Sequence, residues 1–210
     1  MKTAYGALAA AAALVIAGEA FAGSPQMKIA AYPPVASQAL TLGETKTPIG
    51  WIDFCQRYPR ECVGARSAAR DIQMTPQVWR LLFRVNAEVN AAIEPVSDMD
   101  HWGVVERWDF AEDGKGDCEE YVLVKRRELI AAGLPAQALL VTVVRDKKNE
   151  GHAVLTVKTD RGDFILDNQE EAILPWAATG YRFSKRQSQE NQNMWVDLQG
   201  GPAPSATAAR

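Results

Sequence analysis

The residues able to do chemistry in this chain are few: three cysteines, two histidines and a run of carboxylates around one of the cysteines. Cys118 sits in Gly116-Asp117-Cys118-Glu119-Glu120. At a helix start, unpaired backbone N–H groups and the helix dipole stabilise a thiolate. The same N–H groups can receive an oxyanion formed beside the sulfur. Gly114 and Gly116 let the backbone approach closely there. Asp117, Glu119 and Glu120 act the other way, because like charge raises a thiol pKa. An imidazolium or a bound cation would offset them. The acidic group Asp113, Asp117, Glu119 and Glu120 offers hard oxygen ligands suited to calcium, although it lacks the EF-hand spacing.

A base for Cys118 has to come from His101 or His152. His101 lies in a long loop. His152 opens a strand, where a rigid element can hold it. It also has an acidic partner in reach. A hairpin turning at Asp160-Arg161 pairs Val154 with Asp167 and leaves His152 one diagonal step away on the same face. A slip of one residue would send Asp167 to the opposite face. The spacing thus permits Cys118, His152 and Asp167 to act as nucleophile, base and orienting acid, without forcing it. The plainer readings stay open: a core cysteine, a locally bonded histidine and an Asp167-Asn168 turn. Asn168 and Gln169 are candidates to orient the site. Trp102 and Trp108 either wall a groove or fill the core beneath the loop. One free cysteine and two distant histidines make no zinc-ligand spacing.

The elements that must position these residues are readable. Thr75 caps and Pro76 opens a helix over about 76–93, with Val78, Leu81, Leu82, Val85, Val89 and Ile93 as its apolar stripe. Glu94 to Gly116 is a long charged loop of the kind that carries function. A second helix runs from Asp117 or Cys118 to Ala132, with Asp117 and Glu120 as a capping-box pair and Gly133 at its end. Strands follow at 139–144, 152–158 and 163–167, and shorter ones near 181–183 and 194–198. Helices first and an antiparallel sheet afterwards define an α+β fold. A continuous helix would hold Cys55 and Cys62 about 10 Å apart, but Pro59 breaks it, so a local disulfide is expected and Cys118 stays free.

The 210 residues carry 23 basic and 26 acidic side chains, for a formal charge of -3, so no basic excess points to nucleic acid. With 47% apolar residues the chain can build its own core. Lys2, the apolar run from Tyr5 to Ala17 and Ala20-Phe21-Ala22 read as a secretory leader cleaved after residue 22. The run is short for a membrane span. The expected organisation is a leader at 1–22, an irregular arm at 23–50, a domain at 51–198 and a disordered tail at 199–210. The protein is expected outside the cytoplasm.

Three separated motifs then come together. Gly116-Asp117-Cys118-Glu119-Glu120-Tyr121, Gly151-His152-Ala153-Val154-Leu155 and Leu166-Asp167-Asn168 resemble the bacterial transglutaminase-like cysteine proteinase family, including its LapG-like periplasmic members. The segments 90–98 and 105–108 fit it too, and the resemblance spans about 51–198. It implies a papain-like, transglutaminase-like core, with Cys118 as nucleophile, His152 as base and Asp167 as orienting acid. It further implies calcium at Asp117, Glu119 and Glu120, where the usual motif has aspartate at the position of Glu120. It implies a periplasmic cysteine endopeptidase acting on a protein or peptide substrate such as a surface adhesin, and sequestration by an inner-membrane receptor. The alternatives are a non-catalytic periplasmic binding module and a cell-wall peptide amidase or transglutaminase.

Overall fold

The computed structural model describes Met1, residues 33–63 and residues 67–200. The expected leader beyond Met1, the first part of the expected arm (residues 23–32) and residues 201–210 of the expected tail lie outside them. In chain order the elements are β1 (Thr41–Thr45), α1 (Ile49–Arg57), α2 (Pro76–Ala92), β2 (Glu94–Pro95), α3 (Asp98–Trp102), β3 (Lys115–Gly116) and α4 (Cys118–Ala131). Then come β4 (Leu139–Arg145), β5 (Gly151–Thr159), β6 (Gly162–Leu166), β7 (Leu174–Pro175), β8 (Arg182–Gln187) and β9 (Trp195–Leu198). Seven strands form one sheet in the order β1-β9-β8-β4-β5-β6-β7, antiparallel at every step. Helices α2 and α4 pack on each other, and α4 lies on β5 and β4. This is the α+β fold expected.

Helix α2 starts where Thr75 Oγ1 accepts the Val78 N–H at 3.2 Å and Pro76 fills the first helical position. Its buried face is Trp79, Leu82, Val85, Asn86 and Val89. Val78 and Leu81, expected in the stripe, are only half-buried. The face is turned toward Trp79, whose ring meets Phe164 of β6 edge-on at 5.9 Å. Helix α4 ends as expected: Gly133 takes a left-handed φ of +94°, and Leu134 N–H reaches back to Leu129 O at 3.1 Å.

The arm differs from expectation. Residues 41–45 are not irregular; they form an edge strand on β9, and helix α1 begins at Ile49 rather than within the domain at 51. Thr41, Leu42, Gly43 and Glu44 are exposed, so no alternating burial marks this strand in the sequence. Residues before it lie on the β5–β6 turn, where Ala36 N–H donates to Arg161 O at 2.7 Å. The Cys55–Cys62 disulfide is present across the end of α1 and Pro59, and Cys118 is free.

The long loop is pinned at both ends. The two-residue strands β2 and β3 pair in parallel, with Glu94 N–H on Gly114 O and Val96 N–H on Gly116 O. That pairing delivers Gly116 and Asp117 to the start of α4. Inside the loop, Trp108 is buried against Trp51 of α1 and Trp195 of β9. Close contact with α1 demands Gly50: a methyl group there would come within 2.3 Å of Trp108 Nε1 and 2.8 Å of Glu106 Oε1. Gly50→Ala is expected to destabilise the protein by about 1–3 kcal/mol, as overpacking does. Urea unfolding measures this, and an unchanged midpoint would show that α1 yields freely.

Candidate active site

Cys118 is the first residue of α4, half-buried where the helix start meets β5. The N-cap is Asp117, whose own N–H donates to Glu120 Oε2 at 2.9 Å. This is the Glu120 half of the expected capping box. Glu120 is fully engaged, since its Oε1 accepts the Asp109 N–H at 2.7 Å and ties the loop to the helix. The Cys118 Sγ accepts the N–H of Ala153, the residue after His152, at 3.4 Å. Its thiol donates to Glu119 Oε2 at 3.0 Å. Burial, then the charge and hydrogen bond of Glu119, push the thiol pKa well above its ordinary value. The helix start therefore does not by itself produce a thiolate.

The β5–β6 register is the one a two-residue Asp160-Arg161 turn requires: Thr159 faces Gly162 and Leu155 faces Leu166. Continuing it places Val154 opposite Asp167 and puts His152 on the same face as Asp167. The side chains meet: His152 Nε2 lies 2.8 Å from Asp167 Oδ1. A carboxylate accepts, so Nε2 carries the proton and Nδ1 keeps its lone pair. The Gln169 amide faces Nδ1 at 3.4 Å. Asp167 is itself held on every side. Its Oδ1 also accepts the Gln169 N–H at 3.0 Å, its Oδ2 accepts the Tyr181 hydroxyl at 2.6 Å, and its carbonyl oxygen accepts Asn90 Nδ2 at 2.8 Å. Burial pushes the Asp167 carboxyl up, but the His152 and Tyr181 bonds outweigh it and hold the carboxyl below its usual range. The opposite effect falls on Tyr181, whose hydroxyl titrates far above its ordinary value because it is buried and donates to Asp167.

Cys118 and His152 open onto one cleft of about 370 Å³, lined also by Pro48, Glu106, Glu119, Val143, Lys185 and the buried Trp108. The cleft has opposite charges on its rim. Glu106 is fixed by the Trp108 indole N–H at 2.6 Å, and Lys185 Nζ donates to Lys46 O at 2.8 Å. His101 goes elsewhere, to Asp113 at 2.8 Å and against Trp102. Trp102 is on the surface under Arg107, while Trp108 is core. Asn168 lies beside the pair with its Oδ1 buried and unpartnered.

Next to the thiol the carboxylates converge in two overlapping sets, each with ligand atoms within 4.8 Å of one another: Asp117, Cys118 and Glu119, and Asp98, Asp117 and Glu120. Asp113 joins neither set. Burial and then Asp117 push Glu120 up to about 8. Burial, opposed by the Arg107 N–H and reinforced by Asp117, pushes Asp98 to about 6. Glu119 is raised well above its usual range by burial and Asp117. One oxygen of Asp117, Oδ1, is buried with no partner. Crowded, desolvated carboxylates around an orphaned oxygen fit a hard cation such as calcium.

Sequence reasoning missed Asp98, Tyr181 and Asn90. Asp98 lies nineteen positions before Asp117 in the chain and reaches it only because β2 and β3 close the loop; its N–H donates to Asp117 Oδ2 at 3.3 Å. Tyr181 follows a turn that no local pattern links to Asp167. Asn90 had a signal: a polar residue on the apolar face of an amphipathic helix.

A thiol at a helix start, set against a His–Asp pair on an antiparallel sheet, is the arrangement of the papain-like and transglutaminase-like enzymes. The chain belongs to the bacterial transglutaminase-like cysteine proteinase family (BTLCP), whose model matches residues 41–202. It is thus a transglutaminase-like cysteine peptidase. Solved structures of Legionella pneumophila LapG are similar to it. The calcium-bound form matches at 25% identity and a TM-score of 0.51, covering 65% of this chain and 77% of that one. The EGTA-treated form matches at 26% identity and a TM-score of 0.50, covering 64% and 76%. Among curated proteins none matches.

Proposed function

We propose that this protein is a periplasmic cysteine endopeptidase that cleaves a peptide bond in a surface protein, with Cys118 as nucleophile, His152 as base and Asp167 as orienting acid. The observation that carries this reading is the cleft onto which both Cys118 and His152 open, with His152 bonded to the buried Asp167. His152 Nδ1, the nitrogen left free of Asp167, takes the thiol proton. The sulfur adds to the scissile carbonyl, and the N–H groups at the start of α4 hold the oxyanion. The imidazolium returns its proton to the departing amine, leaving a thioester on Cys118. Water, deprotonated by the same nitrogen, adds to the thioester and expels the thiol. Asp167 keeps the Nε2 proton in place and balances the imidazolium charge. Export is supported by the leader-like start and by the disulfide, which an oxidising compartment preserves. The family resemblance supports an adhesin as substrate and an inner-membrane receptor as regulator. Incubation with a peptide library followed by mass spectrometry tests the activity. Cleavage products and a mass adduct on Cys118 are expected; neither product nor adduct, with and without calcium, would refute it.

Calcium binding is part of the proposal, with Asp117 and Glu119 as the ligands nearest the thiol and Asp98 and Glu120 completing the acidic wall. When bound, the ion neutralises these carboxylates. The pH behaviour follows from the raised values. Glu120 titrates at about 8 in the folded chain, against about 4.3 unfolded. Its stabilising contribution is therefore complete below the unfolded value and is lost as pH rises through 8. Asp98, at about 6, works in the same direction. Without the ion, stability should fall across that window. Calcium should raise the melting temperature more at pH 8 than at pH 5, and EGTA should reverse it. A melting temperature indifferent to calcium at pH 8 would remove calcium from the account.

A further inference from the structure

Strand β8 departs from regular pairing at one place. Against β4, Phe183 faces Val144, Lys185 faces Val143 and Arg186 faces Thr142. Ser184 is therefore an extra residue, a β-bulge. In an unbroken strand, residues two apart share a face. Lys185 would then lie beside Phe183, which packs with Val144 and Trp176 on the side of the sheet away from α4. The bulge turns it to the other side. Lys185, Val143 and Ala153 form a row across β8, β4 and β5. At the end of that row the Ala153 N–H meets the Cys118 sulfur at 3.4 Å. Lys185 and Val143 line the cleft together with Cys118 and His152. The ammonium is held there but not neutralised. Lys185 Nζ donates to Lys46 O at 2.8 Å, two residues before Pro48, which lines the same cleft. An ammonium has three donors. Among the described residues no carboxylate pairs with it, although Asp197 stands opposite Lys185 on β9. The other charged groups lining the cleft are engaged: Glu106 by Trp108, Asp117 at the helix cap, Glu119 by the thiol and His152 by Asp167.

We propose that Lys185 is a specificity-determining residue of the cleft: its ammonium receives a carboxylate of the substrate two to three residues from the bond that is cut. This rests on the peptidase reading above and adds a chemical class of substrate to it. Two strand spacings, about 10 Å, separate Lys185 from Ala153 beside the sulfur, the span of about three residues of extended peptide. The carboxylate has two sources, an Asp or Glu side chain within the substrate and the carboxylate that ends it. A neutral side chain there leaves the ammonium merely solvated, and a basic one is repelled. The bulge is what a plain β8 would lack, and bulges beside active sites serve to re-aim a side chain.

Peptide binding to the Cys118→Ala protein, measured by calorimetry with calcium present, tests this without turnover. The probes are short Ser/Ala peptides blocked at both ends, with one central Asp, Asn or Lys, and the Asn peptide with a free C-terminal carboxylate. A peptide carrying a carboxylate should bind about five- to tenfold more tightly than the blocked Asn peptide, and the Lys peptide most weakly. Preference for the blocked Asp peptide assigns the site to an internal acidic side chain. Preference for the free end alone assigns it to the chain terminus; either supports the carboxylate site. Added to Cys118→Ala, Lys185→Met should bring the ratio of Asp to Asn binding close to one, Lys185→Glu should favour the Lys peptide, and Lys185→Arg should keep the native order. The ratio, not the affinity itself, is the readout, because loss of the bond to Lys46 O weakens all probes alike. No preference for a carboxylate, no binding by any probe, or a preference that survives Lys185→Met would overturn the proposal. The native protein is then given the same peptides, and cleavage should fall two to three residues from the carboxylate. Carboxylate-selective binding without any cleavage would leave Lys185 in its role and refute the peptidase reading alone.

Discussion

Cys118→Ala is expected to abolish peptide-bond cleavage, a loss of about 10⁴-fold or more, with a native circular dichroism spectrum. The side chain is small and half-buried, and its hydrogen bonds are to Glu119 and the Ala153 N–H, neither of which holds an element of the fold in place. Cys118→Ser should be nearly as inactive, because the hydroxyl is a far weaker nucleophile at the same position. Iodoacetamide labelling across pH separates the steps in the native chain. Reactivity well below the ordinary thiol range, lost in His152→Ala, shows a thiolate–imidazolium pair. In the structure the thiol leans on Glu119 and its pKa is raised. The labelling rate should therefore be low in EGTA and rise with calcium. Cleavage retained in Cys118→Ala would remove the thiol from the chemistry altogether.

Asp167→Asn is expected to lower kcat/KM by about 10²–10⁴-fold, the range of acid–base catalysis. The amide can keep its oxygen toward His152 Nε2 and the Gln169 N–H, which preserves the tautomer, while its NH₂ faces Tyr181. What disappears is the negative charge opposite the imidazolium. Asp167→Ala should fall further, since it also releases the ring. Tyr181→Phe should cost much less, because one donor to Asp167 remains in Gln169. Stability carries a second signature. The folded Asp167 value is depressed, so its contribution is present above the unfolded carboxylate value and is lost as pH falls through the folded one. The native chain should lose stability at acid pH more steeply than Asp167→Asn. Equal acid sensitivity in chemical unfolding at pH 3 and pH 6 would contradict the depressed value.

Much of this architecture was legible because its signals are local. Thr75-Pro76 and Gly133 delimit α2 and α4 through caps, and caps depend on a few neighbouring residues. The hairpin arithmetic allowed His152 and Asp167 on one face for a two-residue turn, with a one-residue slip still open; the Thr159–Gly162 and Leu155–Leu166 pairing closes that alternative. Pro59 between Cys55 and Cys62 allowed the disulfide to be anticipated. Cys118 stood out by its glycine-flanked helix start and as the odd thiol.

The rest waited for tertiary structure. Strand β1 has exposed residues on both faces, so only its pairing with β9 reveals it. Asp98 and Asp117 are joined by the two-residue pairing of β2 and β3, too short to have a periodicity. Tyr181 and Asn90 reach Asp167 from elements unrelated to it in sequence. The sequence alone offered the thiol, the imidazole and the carboxylate as candidates, together with the order of the elements, because capping and strand alternation act within a few residues. Whether the thiol leans on Glu119 or on His152, and which side chains surround Asp167, was decided by the packing of α2, α4 and the sheet, because burial and electrostatic neighbours are set across the fold.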